Sequence, residues 1–441
     1  MTIHSDRESG LTKLDRVRWC AKTRCETVFD NLWHLFTEDF LHEAYQSLPG
    51  WKAIGIDKVT KETYEKNLHR NIRELYLKIR RGYYRPQAAR IVHIPKEDGS
   101  TRPLVISCFE DKIVQKAVSL ILEATHEPLF LPCSYGFRPN HNCHEALKAL
   151  IRSTYTFENG ALIEIDIRKC FNRIPHDHLL TFIKQKISDL RLLKLVERLI
   201  TTSIMEDGNV EASTRGCPQG SIVSPILCNI YLHYVMDEWF AKISKTHLKG
   251  KAELIRYADD MVFVFERKDD AERVFRVLNK RLNKYGLEMH EAKSALLPSG
   301  RGVVKRMMQV GERLPTFAFL GFTCYWGKAR KGFYRLKLKS RSDRFTATLK
   351  RLRKYLRGNL NCQNDSTLIQ AVIRRIKGWI NYHAVSDNEK RVLGLLREVK
   401  RMLLKWFNRR SQRKAMNWNN LISRLNREGF PERFKTISMF S

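Results

Sequence analysis

The stretch "RYADDMVFVF", Arg256 to Phe265, decides how the rest of the chain is read. Two adjacent carboxylates, Asp259 and Asp260, stand at the head of an apolar, β-rich run. With the preceding "LI" (254–255), the apolar residues on both sides suit two strands, and the Ala258–Asp259 region falls in the turn between them. A sharp bend lets neighbouring side chains converge, whereas in a straight strand they would face opposite ways. Taken alone, "ADD" reads as an acidic turn. Carboxylates at the ends of buried strands are costly unless a cation or a proton offsets them, so the surroundings decide between turn and site.

A further carboxylate, Asp166, lies in the short strand-like run "ALIEIDIRKCF" (161–171). Helical patterns around 110–125 and 143–154 precede it, and another helix is expected after His176. Upstream, "RIVHIPKEDGSTRPLVI" (90–106) reads as two β-rich runs flanking "EDGS", where Asp98 and Gly99 can supply the positive φ angles of a tight hairpin turn. Lys96 and Arg102 lie near the tip of that hairpin. Residues 28–48 show helical spacing, and the glycines of "GWKAIGIDKVT" then break it.

Beyond residue 335 three apolar stripes run through basic sequence: Phe345, Leu349, Leu352, Leu356; Leu368, Val372, Ile376, Trp379; and Val392, Leu395, Val399, Met402, Trp406. They predict three helices forming a separate lobe. Trp379 and Tyr382 lie on an apolar stripe and read as core, which leaves Arg374, Arg375 and Lys377 as the better phosphate-binding candidates. Residues 1–27 show no interpretable pattern.

Composition supports a core and a polyanionic partner. The 441 residues are 43% apolar, and 80 Lys and Arg against 47 Asp and Glu leave a formal charge of +33. Residues 330–441 alone hold 29 basic and 7 acidic side chains. Such an excess points to nucleic acid. Magnesium takes oxygen ligands and bridges carboxylates to substrate phosphates, so Asp166 with Asp259 could hold two ions for in-line nucleotidyl transfer.

None of the ten cysteines forms a pair at two-residue spacing, which supports neither a zinc ribbon nor a dithiol redox motif and suits reduced thiols in a cytoplasmic protein. The first residues lack a secretory signal. The most apolar stretch, 221–236, is interrupted by Ser224, Pro225, Asn229 and His233 and is no membrane span.

Nine blocks stand in one order: "GIDKVT", "YRPQAARIVHIPKEDGSTRPLVI", "SYGFRPNHNCHEAL", "IEIDIRKCFNRIPHDHL", "GCPQGSIVSPILCNIYLH", "RYADDMVF", "GLEMHEAKS", "FAFLGFTCYW" and "RRIKGWINYH". In these blocks the chain resembles the group II intron reverse transcriptases, or maturases, over nearly its whole length. The resemblance implies an α+β right-hand polymerase: an N-terminal extension (1–27), fingers and an antiparallel palm sheet backed by helices (28–330), and a three-helix thumb or maturase lobe (331–441). It implies Asp166, Asp259 and Asp260 as the catalytic, metal-binding triad, with Asp166 and Asp259 the principal ligands of two Mg²⁺ ions.

By the same resemblance Lys96 and Arg102 clamp the incoming triphosphate, Phe171 screens the sugar 2′ position, Gln219 lines the nucleotide pocket, and Lys293 faces phosphate. "FLGF" (319–322) resembles the segment that grips the primer end. The implied partners are group II intron RNA, an RNA template with its DNA primer, deoxynucleoside triphosphates and a DNA target, with no membrane. The implied activity is cDNA synthesis together with intron splicing and retromobility. A splicing-only RNA-folding cofactor, or a reverse transcriptase recruited to another role such as antiphage defence, are the other readings. "GCPQGS", Cys170 and Asn172 depart from common family residues without removing a metal ligand. The expected C-terminus lacks the cysteine-paired His-Asn-His endonuclease of some relatives.

Overall fold

The computed structural model describes residues 10–24, 26–50, 52–95, 99–206, 208–211, 213–329, 331–359, 364–410 and 416–440. The chain is α+β. In chain order its strands are β1 (Ala89–Pro95), β2 (Thr101–Ile106), β3 (Gly160–Ile165), β4 (Ile204–Glu206), β5 (Asn209–Glu211), β6 (Ala252–Tyr257), β7 (Asp260–Phe265), β8 (Ala295–Ser299), β9 (Thr316–Phe319), β10 (Phe322–Lys328) and β11 (Tyr334–Ser340). They form three sheets, ordered β2-β1-β4-β5, β6-β7-β3-β8 and β11-β10-β9.

Two compact units divide the chain. The first takes in the described residues of Met1–Cys143 and Ile163–Leu296, the second those of His144–Leu162 and Leu297–Ser441. The second therefore includes residues 144–162 and 297–330, which a linear reading groups with the first. The tie is long-range: His144 Nε2 donates to the Tyr382 carbonyl at 2.8 Å, and Arg301 pairs with Glu158.

In the first unit the helix Phe109–His126 buries Ile113, Val114, Ala117, Val118, Ile121 and Leu122. Its first turn carries Glu110 and Asp111, whose charge suits the positive end of the helix dipole. The helical spacing over 28–48 resolves into a 3₁₀ turn, Trp33–Leu35, and a helix, Glu38–Gln46. The break has a cause: the Asp189 carboxylate accepts from the Leu32 and Trp33 N–H groups at 2.8 and 2.7 Å. Thr37 then caps the helix by accepting from Phe40 N–H at 3.1 Å. Within the patternless N-terminal stretch, Gly10–Thr23 is a helix that buries Leu14 and Ala21.

Among the described residues the second unit holds four helices beyond β11 rather than three: Ser342–Asn359, Asp365–His383, Glu389–Arg410 and Trp418–Arg427. The fourth is short and polar in composition, but Asn417 caps it, accepting from Asn420 N–H at 2.8 Å. Its Leu421 and Leu425 enter the same buried core as Leu352, Leu368, Ile376 and Leu395. Trp379 packs against this core, and Tyr382 stacks on Phe322 and donates its hydroxyl to the Leu320 carbonyl, so both aromatics are structural. Among the described residues no helix is long and apolar enough to cross a membrane.

Candidate active site

β6 and β7 pair antiparallel with Tyr257 opposite Asp260, so Ala258 and Asp259 form a two-residue turn, as the apolar runs on both sides of it predict. β7 is buried at every residue but its first, and β6 is buried from Leu254 to Arg256, which suits a near-continuous apolar run. Ala258 has φ +56°, a left-handed conformation that costs a non-glycine residue about 1–2 kcal/mol. The turn needs bracing, and a buried polar network supplies it.

Arg256 is completely buried. Its Nε donates to Asp237 Oδ1 at 2.7 Å and its Nη2 to Oδ2 at 2.5 Å. Its Nη1 donates to Asn229 Oδ1 at 2.9 Å and to the Ala258 carbonyl at 3.2 Å, inside the turn itself. Asn229 Nδ2 in turn donates to the Gly136 carbonyl at 2.7 Å. A Cβ on Gly136 would lie 2.3 Å from Ala258 N, so only glycine permits this approach.

Asp237 closes a π-helical turn, His233–Asp237, that joins the helices Ser224–Leu232 and Glu238–Thr246. Such turns occur often at functional sites. Burial alone would raise the Asp237 carboxyl; the Arg256 guanidinium and His233 outweigh it and hold the group below its usual value. The sequence carried a signal for this network, a lone arginine inside a buried apolar strand, but its partners lie on other elements.

Asp166 follows β3 directly. Its N–H donates to Ser294 Oγ at 3.2 Å, its carbonyl accepts from His290 N–H at 2.8 Å, and its carboxylate lies 3.4 Å from Lys293 Nζ. Lys293 thus stands beside a catalytic candidate. Burial pushes the Asp259 carboxyl up; hydrogen bonding from its own backbone opposes this, the negative Asp166 adds to the rise, and Arg102 and Arg256 pull it back. The field at Asp259 therefore draws on Asp166 and Arg102, although the three side chains come from three separate parts of the chain. Asp260, first in β7, is exposed.

The expected hairpin forms, paired from Arg90 opposite Ile106 to Pro95 opposite Thr101; Asp98, expected in its turn, lies outside the described residues. Arg102 is exposed on β2, while Lys96 lies outside the described residues. The "PQG" loop is seated on the base of that strand, where the Gln219 carbonyl accepts from Val105 N–H at 2.6 Å. At Gly220, φ is +110° and an added Cβ would lie 2.4 Å from the Val105 carbonyl. Phe171 is half-buried on the short helix Cys170–Arg173, and its carbonyl accepts from Cys217 N–H at 2.7 Å. The backbone thus links the loop that carries Gln219 both to Phe171 and to the strand that carries Arg102.

Among the described residues no group of three or more His, Cys, Asp or Glu is arranged to hold a metal by protein ligands alone. Two carboxylates with a raised Asp259 instead suit a hard divalent ion, which keeps waters and takes further oxygens from phosphates. Such a site, with a guanidinium beside it, can bind a phosphorylated substrate.

In the second unit Arg374, Arg375 and Lys377 are exposed on one helix. Arg375 is partly committed to packing: its guanidinium lies 3.7 Å from the Tyr355 ring centre, and it donates to the Ala371 carbonyl at 2.9 Å. Arg374 and Lys377 are the better placed for a ligand.

Residues 94–324 match the family described as "Reverse transcriptase (RNA-dependent DNA polymerase)". The chain is similar to "Group II intron-encoded protein LtrA" of Lactococcus lactis subsp. cremoris, 34% identical over 224 residues, covering 50% of this chain and 37% of that protein. It is similar to the "Uncharacterized 91 kDa protein in cob intron" of Schizosaccharomyces pombe, 35% identical over 249 residues, covering 54% and 30%. The "Putative COX1/OXI3 intron 1 protein" of Saccharomyces cerevisiae is 31% identical over 309 residues, covering 58% and 36%. The matched region spans about a third of each of these relatives.

Proposed function

The chain belongs to the reverse transcriptase family, and we propose that it is an RNA-directed DNA polymerase of the group II intron lineage. It copies RNA into cDNA by two-metal nucleotidyl transfer and binds its host intron RNA to assist splicing and retromobility. The fold is the right-hand polymerase class; we assign residues 28–330 to fingers and palm and the basic helices after 331 to the thumb. The observation that carries the reading is the braced two-residue turn that presents Asp259 at the head of β7, with Asp166 directly after the neighbouring strand β3 and Lys293 Nζ 3.4 Å from its carboxylate.

Asp166 and Asp259 would hold the divalent ions, which when bound supply the charge that activates a primer 3′-hydroxyl and offsets the departing pyrophosphate. Asp260 is the third acidic member and acts from an exposed position. Arg102 offers the triphosphate a planar fork of donors and Lys96 a point charge. Phe171 lies beneath the ribose and excludes a 2′-hydroxyl, Gln219 lines the nucleotide pocket, and Lys293 faces phosphate while balancing Asp166. Arg374, Arg375 and Lys377 bind RNA phosphates. The substrates are an RNA template with its DNA primer and deoxynucleoside triphosphates, and mobility adds a DNA target.

Primer extension on an RNA template with Mg²⁺ tests this. The wild-type chain should extend the primer. Asp259→Ala should lower the rate by more than about a hundredfold, beyond the loss typical of groups that only orient a metal ligand, while RNA binding stays within about twofold because phosphate contacts lie elsewhere. Extension at the wild-type rate by Asp259→Ala would refute the metal assignment; a wild-type chain that binds intron RNA but never extends would leave only the splicing role.

A further inference from the structure

The segment Cys133–Arg138 is fastened to the catalytic turn on both sides of one residue. Arg256 N–H donates to the Cys133 carbonyl and Tyr135 N–H donates to the Arg256 carbonyl, both at 2.8 Å. Gly136 is held by Asn229 and packs directly on Ala258. Arg138, itself nearly buried, donates to the Glu127 carboxylate and to the Leu131 and Ser134 carbonyls. Between Gly136 and Arg138 stands Phe137.

Phe137 is unfavourable twice over. Its φ is +56°, a region where a bulky aromatic residue is an outlier and the cost persists only if the surroundings enforce it. The residue is also 53% exposed, so core packing does not repay the strain. Glycine or asparagine would hold the same backbone more cheaply. Phe137 lies one residue beyond the contact between Gly136 and Ala258, and Asp259 lies one residue beyond it on the other strand of the contact. The bridge from Ser134 to Arg256 places the segment beside β6, whereas Asp166 follows β3 on the far side of β7.

We propose that Phe137 is a stacking platform for a nucleotide of the primer–template duplex, on the side of Asp259 away from Asp166. This rests on the polymerase reading. An exposed ring offers any base or ribose a flat apolar face without reading its sequence. The shared chemistry is a nucleotide face, supplied by either the primer end or the template base opposite it.

Affinity for a labelled RNA–DNA primer–template, read by fluorescence anisotropy, tests the proposal in Phe137→Gly, Phe137→Leu and Phe137→Trp. Phe137→Gly relieves the backbone strain, so its melting temperature should equal or exceed that of wild type. Its Kd should nonetheless weaken about tenfold, as for loss of a stacked base. Phe137→Leu should weaken binding similarly, and Phe137→Trp should restore it. An abasic site at the primer end or in the opposing template position should weaken wild-type binding but add nothing to Phe137→Gly on the strand that stacks, which identifies that strand. Wild-type affinity in Phe137→Gly, a lowered melting temperature there, or full additivity with both lesions would overturn the proposal. Anisotropy needs no catalysis, so failure of the polymerase reading shows separately, as absent extension by wild type.

Discussion

In the first unit Arg256 lies wholly inside the protein, held by Asp237, Asn229 and the carbonyl of the turn it supports. In the second unit the helix Asp365–His383 keeps Arg374, Arg375 and Lys377 outside a core of Leu368, Val372, Ile376 and Ile380. The same kind of residue does two kinds of work. A buried guanidinium has one geometry that satisfies it, so it transmits position to whatever it touches. Exposed basic residues act through a field whose contributions add and are screened by salt. A reaction centre needs the first kind and an RNA surface the second.

The comparison breaks most visibly at Asp237. Asp237→Ala leaves the Arg256 charge buried and unpaired, so unfolding in denaturant should show a loss of about 3–5 kcal/mol. Asp237→Asn keeps the shape and is expected to shift the Mg²⁺ concentration for half-maximal extension by about 10–100-fold. Unchanged Mg²⁺ dependence in that variant would reduce the network to a structural role.

Next in size is Ile376→Ala in the second unit. Removal of its fully buried side chain should cost about 2–5 kcal/mol by denaturant unfolding. The Mg²⁺ dependence of the molecules that remain folded should not move, since an apolar core carries no directional support. The smallest effects belong to the surface: Arg374→Ala and Lys377→Ala should each reduce the slope of log affinity against log salt by about 1. Arg375→Ala should add a stability loss, because its guanidinium also packs on Tyr355.

Much of the site was legible because its parts are local. The two-residue turn at Ala258–Asp259 and the pairing of β1 with β2 follow from short apolar, β-rich runs that flank turn residues. The helical faces containing Leu352, Leu368, Ile376 and Leu395 follow from a 3.6-residue period. The break in 28–48 was not legible, since the Asp189 that causes it lies far along the chain. Nor was the fourth C-terminal helix, whose two leucines gain meaning only from the core they join.

The sequence by itself therefore determined the charge balance, the apolar periods and the turn that presents Asp259, because each depends on neighbours within a few residues. Tertiary structure alone decided that the strand leading to Asp166 lies next to β7, that Arg256 braces the turn, and that Phe137 is held strained beside it. Those outcomes depend on sheet order and on hydrogen bonds between distant segments, and no local period in the chain encodes either.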